Sequence, residues 1–336
     1  MNPLLTITKA NGLTSIQDMG RFGFAHLGIT QGGVADEYSY HWANKLLNNP
    51  FASAVIEVTM GGFEASFNQN SLIAITGAND GVAIDGVCIS TWRCIKVNKG
   101  QTLSITLPRN GLRHYIALLG GVDAPMHHNS RSTVARDKLG GLRNNGTGLV
   151  SGDVIHSRLA SLSLNPLLHQ KLNQQLNQQL NQQLNQKKVI SVAPQYIPNF
   201  APSQTITARL LLGSQQHLFT SDAIHAVFAN TYRIDTQSNK MGYQLMGQPI
   251  TTPTEHLISE GISLGAVQIP PSGLPIIMLC ERQTIGGYPK LGNVARLDLC
   301  KIAQSKPGTI VKFAKADVNL CFERYKQWLN FFQSRL

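Results

Sequence analysis

Residues 258–299 read ISEGISLGAVQIPPSGLPIIMLCERQTIGGYPKLGNVARLDL, and this stretch decides the fold. Its apolar runs, AVQI and PIIML, are broken every few residues by Gly, Pro and Ser, so they read as short strands joined by turns. Glu260, Gln268, Glu281, Arg282, Gln283, Thr284, Tyr288 and Lys290 stand at the ends of these strands around loop glycines. Polar groups at the mouths of apolar strands are how β-barrels build pockets. Lys290 follows Gly286 and Gly287 in GGYPK, just before a helix expected to start near Asn293, and an ammonium at such a mouth suits a phosphate or carboxylate. Glu260 and Glu281 could serve as acid or base or could orient the lysine. The same residues also describe ordinary solvated loops.

The rest of the chain follows the same pattern. TARLLLG (207–213) and GTIVKFA (308–314) after the centre, and SLIAITG (71–77), QTLSITL (101–107) and HYIALLGG (114–121) before it, read as strands. Helical spacing is confined to Asp36–Asn48, Asp222–Ala229, Asn293–Gln304 and an amphipathic stretch, Asp317–Phe332, expected to dock on the body or on a partner. Between the halves, Leu returns at 172, 176, 180 and 184 in LNQQLNQQLNQQLNQ. That period advances about 40° per repeat on a helix, so it gives a spiralling stripe and no fixed apolar face. It reads as a low-complexity linker, flexible or marginally helical, with a coiled coil as the other reading. The expected organisation is mainly β with a few helices: a first β domain over 1–160, a Leu/Asn/Gln linker and connection over 161–205, a second β domain over 206–316, and a C-terminal amphipathic helix over 317–336. Barrels or sandwiches fit this better than a doubly wound sheet.

Composition excludes several classes. Apolar residues make up 42% and charged ones 14% of 336 residues, which rules out disorder over the whole chain. Lys and Arg number 29 against 18 Asp and Glu, a net charge of +11. The basic residues are scattered, with no stripe of the kind that binds nucleic acid. No apolar run is long enough to span a membrane and the N-terminus lacks a secretory pattern, so a cytoplasmic location is expected. Five cysteines without a C-x-x-C pair read as reduced core thiols. No metal site is expected: adjacent His127 and His128 face opposite ways on an extended chain, with no third ligand in register. P-loop, H-E-x-x-H and G-x-S-x-G signatures are absent. So is Ala-Met-Lys-Met, and no biotin is expected on this chain.

In the first half, DMGRFGFAHLGITQGGVADEYSYHWANKLLNN (18–49) sets Arg21 beside Gly20 and Gly23, then Gly32 and Gly33 before the helix cap Asp36. Glycines let backbone approach a ligand, and the following helix N-terminus favours an anion. A tight turn entering a helix explains the pattern equally well.

Taken together, GR-x-G (20–23), G-x-x-x-GG-x-x-D (28–36), WANKLLNN (42–49), IEVTMGG (56–62), TGAND (76–80), YIALLGG (115–121), SNKMGYQL (238–245), SEGISLGAVQIPPSGLPI (259–276), QTIGGYPKLG (283–292) and AQSKPG (303–308) resemble the biotin-dependent carboxyltransferase-like, or allophanate hydrolase subunit 2-like, family. The resemblance spans nearly the whole chain outside the linker and the tail. It implies two tandem cyclophilin-like β-barrel domains. It implies one component of a hydrolase that opens 5-oxoproline to glutamate at the expense of ATP, the nucleotide being shared with a partner. The implied partners are two further 5-oxoprolinase components, an inhibitor-like B subunit, and with it a lactam-hydrolase-like A subunit. On this resemblance Lys290 and Arg21 contact anionic groups, and Asn239, Gln268 and Gln283 orient the substrate. Glu260 is then the acid/base candidate, with Glu281, Gly32, Gly33, Thr284, Gly286, Gly287 and Tyr288 around them. Glu281 stands where many relatives carry Asp, one methylene shorter. The same resemblance leaves two other readings open: the carboxyltransferase part of a urea carboxylase, and a non-catalytic regulator that binds an inhibitor-like protein.

Overall fold

The computed structural model describes residues 3–158, 190–201, 205–252 and 257–334; the Leu/Asn/Gln repeat lies outside them. The described chain is mainly β with four α-helices, α1 (Glu37–Leu46), α2 (Ser221–Ala229), α3 (Arg296–Ala303) and α4 (Val318–Gln333). No helix among the described residues is long and apolar enough to cross a membrane.

The second half closes into a seven-stranded barrel in the order Ile206–Leu212, Lys290–Val294, Ala266–Gln268, Ile276–Met278, Gly242–Met246, Thr231–Ile234 and Ile310–Lys315. Parallel pairing of Ile206 with Val311 and Leu210 with Lys315 closes it. The run 265–279 is two strands, because Pro270 to Gly273 forms a turn in which the Gly273 N–H donates to the Pro270 carbonyl at 2.9 Å and Gly273 takes a φ of +74°. Such a φ suits glycine. The expected helix start near Asn293 is corrected: Lys290–Val294 is a strand paired with Leu210–Leu212, and α3 begins at Arg296.

In the first half, a seven-stranded and a five-stranded sheet enclose one core that includes Ile7, Phe63, Ile73, Leu103 and Ile116. The period-2 alternation of strands sorts the side chains. In Ser71–Gly77, Ile73 and Ile75 join that core, while Leu72 and Ala74 face the opposite way against Tyr40, Ala43 and Leu46 of α1. The Asp36 side chain caps α1 by accepting from the Ser39 N–H at 3.1 Å. α4 then covers α1: Phe332 is buried within a ring cluster of Tyr38, His41 and Trp42, and Lys45 Nζ donates to the carbonyls of Phe331 at 2.7 Å and Ser334 at 2.8 Å. The C-terminal helix therefore docks on the first half. The cysteines are free, Cys280 and Cys300 buried as core thiols, whereas Cys88 is exposed, contrary to the expectation of core placement.

Polar bridges fasten the two halves. Arg296 pairs with Glu37 at 2.7 Å, the Gly32 N–H donates to the Cys280 carbonyl at 2.9 Å, and Arg282 Nη2 donates to Gln31 Oε1 at 3.2 Å.

Candidate functional site

A cavity of about 550 Å³ opens between the halves, with Leu13, Gln17, Met60, Arg113 and Arg136 on one side and Asn239, Lys240, Tyr243 and Glu281 on the other. Its floor is charged. The strand Val55–Thr59 is buried throughout; alternation sends Ile56 and Val58 into the core and turns Glu57 toward the second half. Glu57 Oε2 accepts the Ala35 N–H at 2.9 Å, and Glu57 Oε1 lies 3.0 Å from Lys240 Nζ. Lys240 is also 3.3 Å from Glu281 Oε1.

Local backbone hydrogen bonds aim the lysine. Asn239 Oδ1 accepts the Met241 N–H at 2.8 Å, an Asx-type turn that bends SNKMG. The Leu279 N–H donates to the Met241 carbonyl at 2.9 Å, and the Glu281 N–H to the Lys240 carbonyl at 2.8 Å, so the two loops carrying Lys240 and Glu281 are zipped side by side. Arg113, fully buried, donates from Nη1 to the Tyr243 hydroxyl at 3.0 Å and to the Ala303 carbonyl.

These neighbours set the charge states. Burial alone would raise the Glu57 carboxyl, but Lys240 and Arg113 outweigh it and hold it below the ordinary carboxylate value. Burial would likewise neutralise Lys240; Glu57 and Glu281 reverse that and keep the ammonium charged. Arg113 is held charged against burial by Tyr243 and Glu57. Burial pushes the neighbouring Cys280 thiol up to about 12, so it takes no part as a thiolate near neutrality. The cavity thus presents Lys240, Arg113 and Arg136 against one lining carboxylate, Glu281, an arrangement suited to a small anion whose polar groups meet a fixed ammonium and a fixed carboxylate.

Sequence reading singled out Glu281 and Asn239, both at this cavity, and missed Glu57, Arg113, Lys240 and Tyr243. A lone acid in VIEVT and a lone base opening RHYIAL were the available signals, since unpaired charge in an apolar strand needs a partner.

Most of the remaining expected residues gather at the rim of the second barrel. Glu260–Gly261 pairs with Ile285–Gly286 in a two-stranded ladder. Lys290 Nζ lies 2.5 Å from Glu260 Oε1, which also accepts from Gln215 Nε2 at 2.5 Å. Gln268 pairs across from Lys290 and is 1% exposed. Gln283 and Gly286 adjoin it. Thr284 accepts the Ile262 N–H on its carbonyl at 3.0 Å, while Gly287 and the exposed Tyr288 form the turn leading to Lys290.

Arg21 stands apart from both places. The residue is 2% exposed, and its guanidinium donates from Nη2 to the Ser132 carbonyl at 2.6 Å. Gly32 and Gly33 take φ of +63° and +96°; a Cβ on Gly32 would come 2.5 Å from Val134 Cγ2. These glycines shape the turn that meets Cys280.

Comparison with known proteins gives a consistent picture. The carboxyltransferase domain, subdomain A and B, matches residues 27–315. The chain is 29% identical over 332 residues to the 5-oxoprolinase C subunit of Escherichia coli, covering 98% of this chain and 97% of that protein. It is 30% identical over 312 residues to the 5-oxoprolinase C subunit of Haemophilus influenzae, covering 92% of this chain and 90% of that protein. The crystal structure of the K. lactis urea amidolyase superposes with a TM-score of 0.83 at 23% identity, over all of this chain and 20% of that one. It shares the fold, and the chain spans about a fifth of its length.

Proposed function

Because the chain belongs to the carboxyltransferase domain family, subdomain A and B, we propose that it is the C subunit of an ATP-dependent 5-oxoprolinase and that it holds 5-oxo-L-proline in the cavity between its halves. The observation that carries this reading is its end-to-end match to the 5-oxoprolinase C subunits of two bacteria, over 97% and 90% of their lengths.

The five-membered lactam is a resonance-stabilised amide, and phosphorylation of its carbonyl oxygen by ATP makes a better electrophile for water. The cavity supplies what that substrate needs from this chain. Arg136 and Arg113 line the wall and attract the carboxylate. Lys240, fixed between Glu57 and Glu281 at 3.0 and 3.3 Å, places a positive charge where the carbonyl oxygen gains negative charge, and it needs no reorganisation to do so. Glu281 orients the ring N–H and offers a proton acceptor. Apolar Leu13 and Met60 at the cavity edge cover the ring carbons. The lining has no phosphate-cradling loop of the P-loop type, so the nucleotide belongs to a site completed by the inhibitor-like or the lactam-hydrolase-like partner.

The test combines the chain with its two partners and follows ADP and glutamate formation from 5-oxoproline, omitting each protein in turn and repeating with Lys240→Met. Turnover that needs all three and is lost in the variant supports the reading. A complex that assembles and leaves both substrates untouched overturns it, and carboxyl transfer from carboxybiotin to urea is then the reaction to assay.

A further inference from the structure

We propose that the rim of the second barrel is a second ligand site, specific for a small carboxylate, which the chain's own Glu260 occupies in the ligand's place. This site lies outside the cavity lining, and the proposal does not depend on the 5-oxoprolinase reading.

Glu260 itself displays how a carboxylate sits there. Its Oε1 lies 2.5 Å from Lys290 Nζ and takes the Gln215 Nε2 donor at 2.5 Å; Gln215 is held in turn by the Lys290 N–H, which donates to its Oε1 at 2.7 Å. Lys290 is only 14% exposed, whereas Glu260 is 51% exposed. The ammonium is built into the barrel and the carboxylate reaches it from outside. Glu260 belongs to a ladder of two residue pairs, Glu260 with Gly286 and Gly261 with Ile285, which is separate from the barrel sheet. Its side chain can therefore leave without breaking a barrel strand.

Glu260 leaves two donors without a hydrogen bond, Lys290 Nζ, which it meets as an ion pair only, and Gln268 Nε2. Gln268 is 1% exposed, yet its Nε2 has no acceptor among the described residues, and buried donors are normally satisfied. Gln268 Nε2 and Gln283 Nε2 lie 3.1 and 3.5 Å from the position that a Cβ on Gly286 would take, with Ile262 Cδ1 2.7 Å from it on the apolar side. Two carboxamide donors thus meet beside a small apolar wall, and Lys290 is the residue paired across from one of them, Gln268. Ile285 and Tyr288, 60% and 46% exposed, flank the opening and suit a short carbon skeleton. A ligand carboxylate has two oxygens and about four acceptor positions, so it meets Lys290 while also reaching Gln268 Nε2.

The experiment titrates the purified full chain with ¹³C-labelled butyrate, followed by NMR, for wild type, Glu260→Gln, Lys290→Met and Lys240→Met, each checked to be folded at the temperature of the titration, since Lys240→Met melts lower. Removing the tethered competitor should tighten butyrate binding by about tenfold in Glu260→Gln, the equivalent of one ordinary charge-assisted contact. Lys290→Met should abolish binding and Lys240→Met should leave it unchanged. Equal or weaker binding in Glu260→Gln overturns the proposal, because a purely structural or acid/base role for Glu260 gives no gain. Binding that survives Lys290→Met, or that disappears with Lys240→Met, also overturns it, the latter assigning the ligand to the cavity.

Discussion

Glu57 of the first half and Lys240 of the second meet 3.0 Å apart, and this pair ties the charge of the cavity floor to the joining of the halves. Neither group has water to fall back on, since Glu57 is fully buried and the Lys240 side chain is 15% exposed. Removing one partner leaves a buried charge uncompensated, which costs about 3–5 kcal/mol, whereas removing both together is much milder. Glu57→Gln and Lys240→Met should each destabilise by that amount, and the double variant by clearly less than the sum, as measured by urea unfolding. The pH dependence follows from the Glu57 carboxyl being held below its ordinary value. The pair's contribution is fully present above the unfolded carboxylate range and is lost as pH falls through the lower folded value. Wild type should therefore lose more stability on acidification than the double variant.

His41 is caged by rings and stays neutral. It stacks on Phe51 at a centroid distance of 4.1 Å and meets the edge of Trp328 at 5.1 Å, and neither ring nitrogen has a hydrogen-bond partner among the described residues. Burial first, and then the positive charge of Arg296, lower it from 6.5 to about 3. Its NMR signals should show no titration between about pH 5 and 8. The unfolded chain takes up this proton and the folded one does not, so stability should fall as pH drops from 6.5 toward 3. His41→Phe should flatten that part of the profile.

Met60 lines the cavity with a φ of +63°, a left-handed conformation that costs a residue with a Cβ about 1–2 kcal/mol. It is 49% exposed, so its side chain contributes little packing to the fold. Met60→Gly relieves the strain but loses unfolded-state restriction, and the two effects nearly cancel; the melting temperature should barely move. Met60→Val, β-branched at the same φ, should destabilise by about 1–2 kcal/mol. If the thioether covers the ring of 5-oxoproline, Met60→Gly should raise KM in the assembled system while stability holds.

Strand positions were legible because their signal is local. Ser71–Gly77 and Arg113–Leu118 carry the short apolar runs LIAI and YIAL, whose length and flanking turn residues fit a strand buried on both faces. The boundary at Asn293 was not, since KLGNVARLDL fits either period until Asn293 is seen paired with Leu211 and Ala266. The rim cluster was readable for the same local reason: Glu260, Gln268, Gln283 and Lys290 lie within one stretch of chain. The cavity floor was not, because Glu57, Arg113 and Lys240 come from segments far apart in sequence. A charge in an apolar strand names no partner until the halves are docked. Arg21 shows the converse, a motif position whose surroundings, Ser132 and Gly140, are also non-local.

Gln304 offers the sharpest test of how the halves are held. It is 1% exposed; its Oε1 accepts the N–H groups of Leu112 and Arg113 at 3.0 and 2.9 Å, and its Nε2 donates to Asp36 Oδ2 at 2.9 Å and to the Arg113 carbonyl at 3.1 Å. One carboxamide thus links α3 of the second half to the α1 cap and the central strand of the first. Gln304→Leu should cost about 3 kcal/mol or more, since each stranded buried group costs about 1–3 kcal/mol. Gln304→Glu keeps the shape but exchanges the donor facing Asp36 for an acceptor. Burial already raises the Asp36 carboxyl above its ordinary value, and the hydrogen bonds from Ser39 and Gln304 only partly oppose this. With a second carboxyl at that contact, one of the two must hold a proton. The folded variant then binds more protons than the unfolded chain, so its stability falls as pH rises above the ordinary carboxylate range. Thermal melts should place Gln304→Glu closest to wild type near pH 4 and furthest below it at pH 7, while Gln304→Leu, which loses a donor to Asp36 but adds no second carboxyl, shows the same trend more weakly; the same deficit for Gln304→Glu at both pH values would show that Asp36 finds another donor.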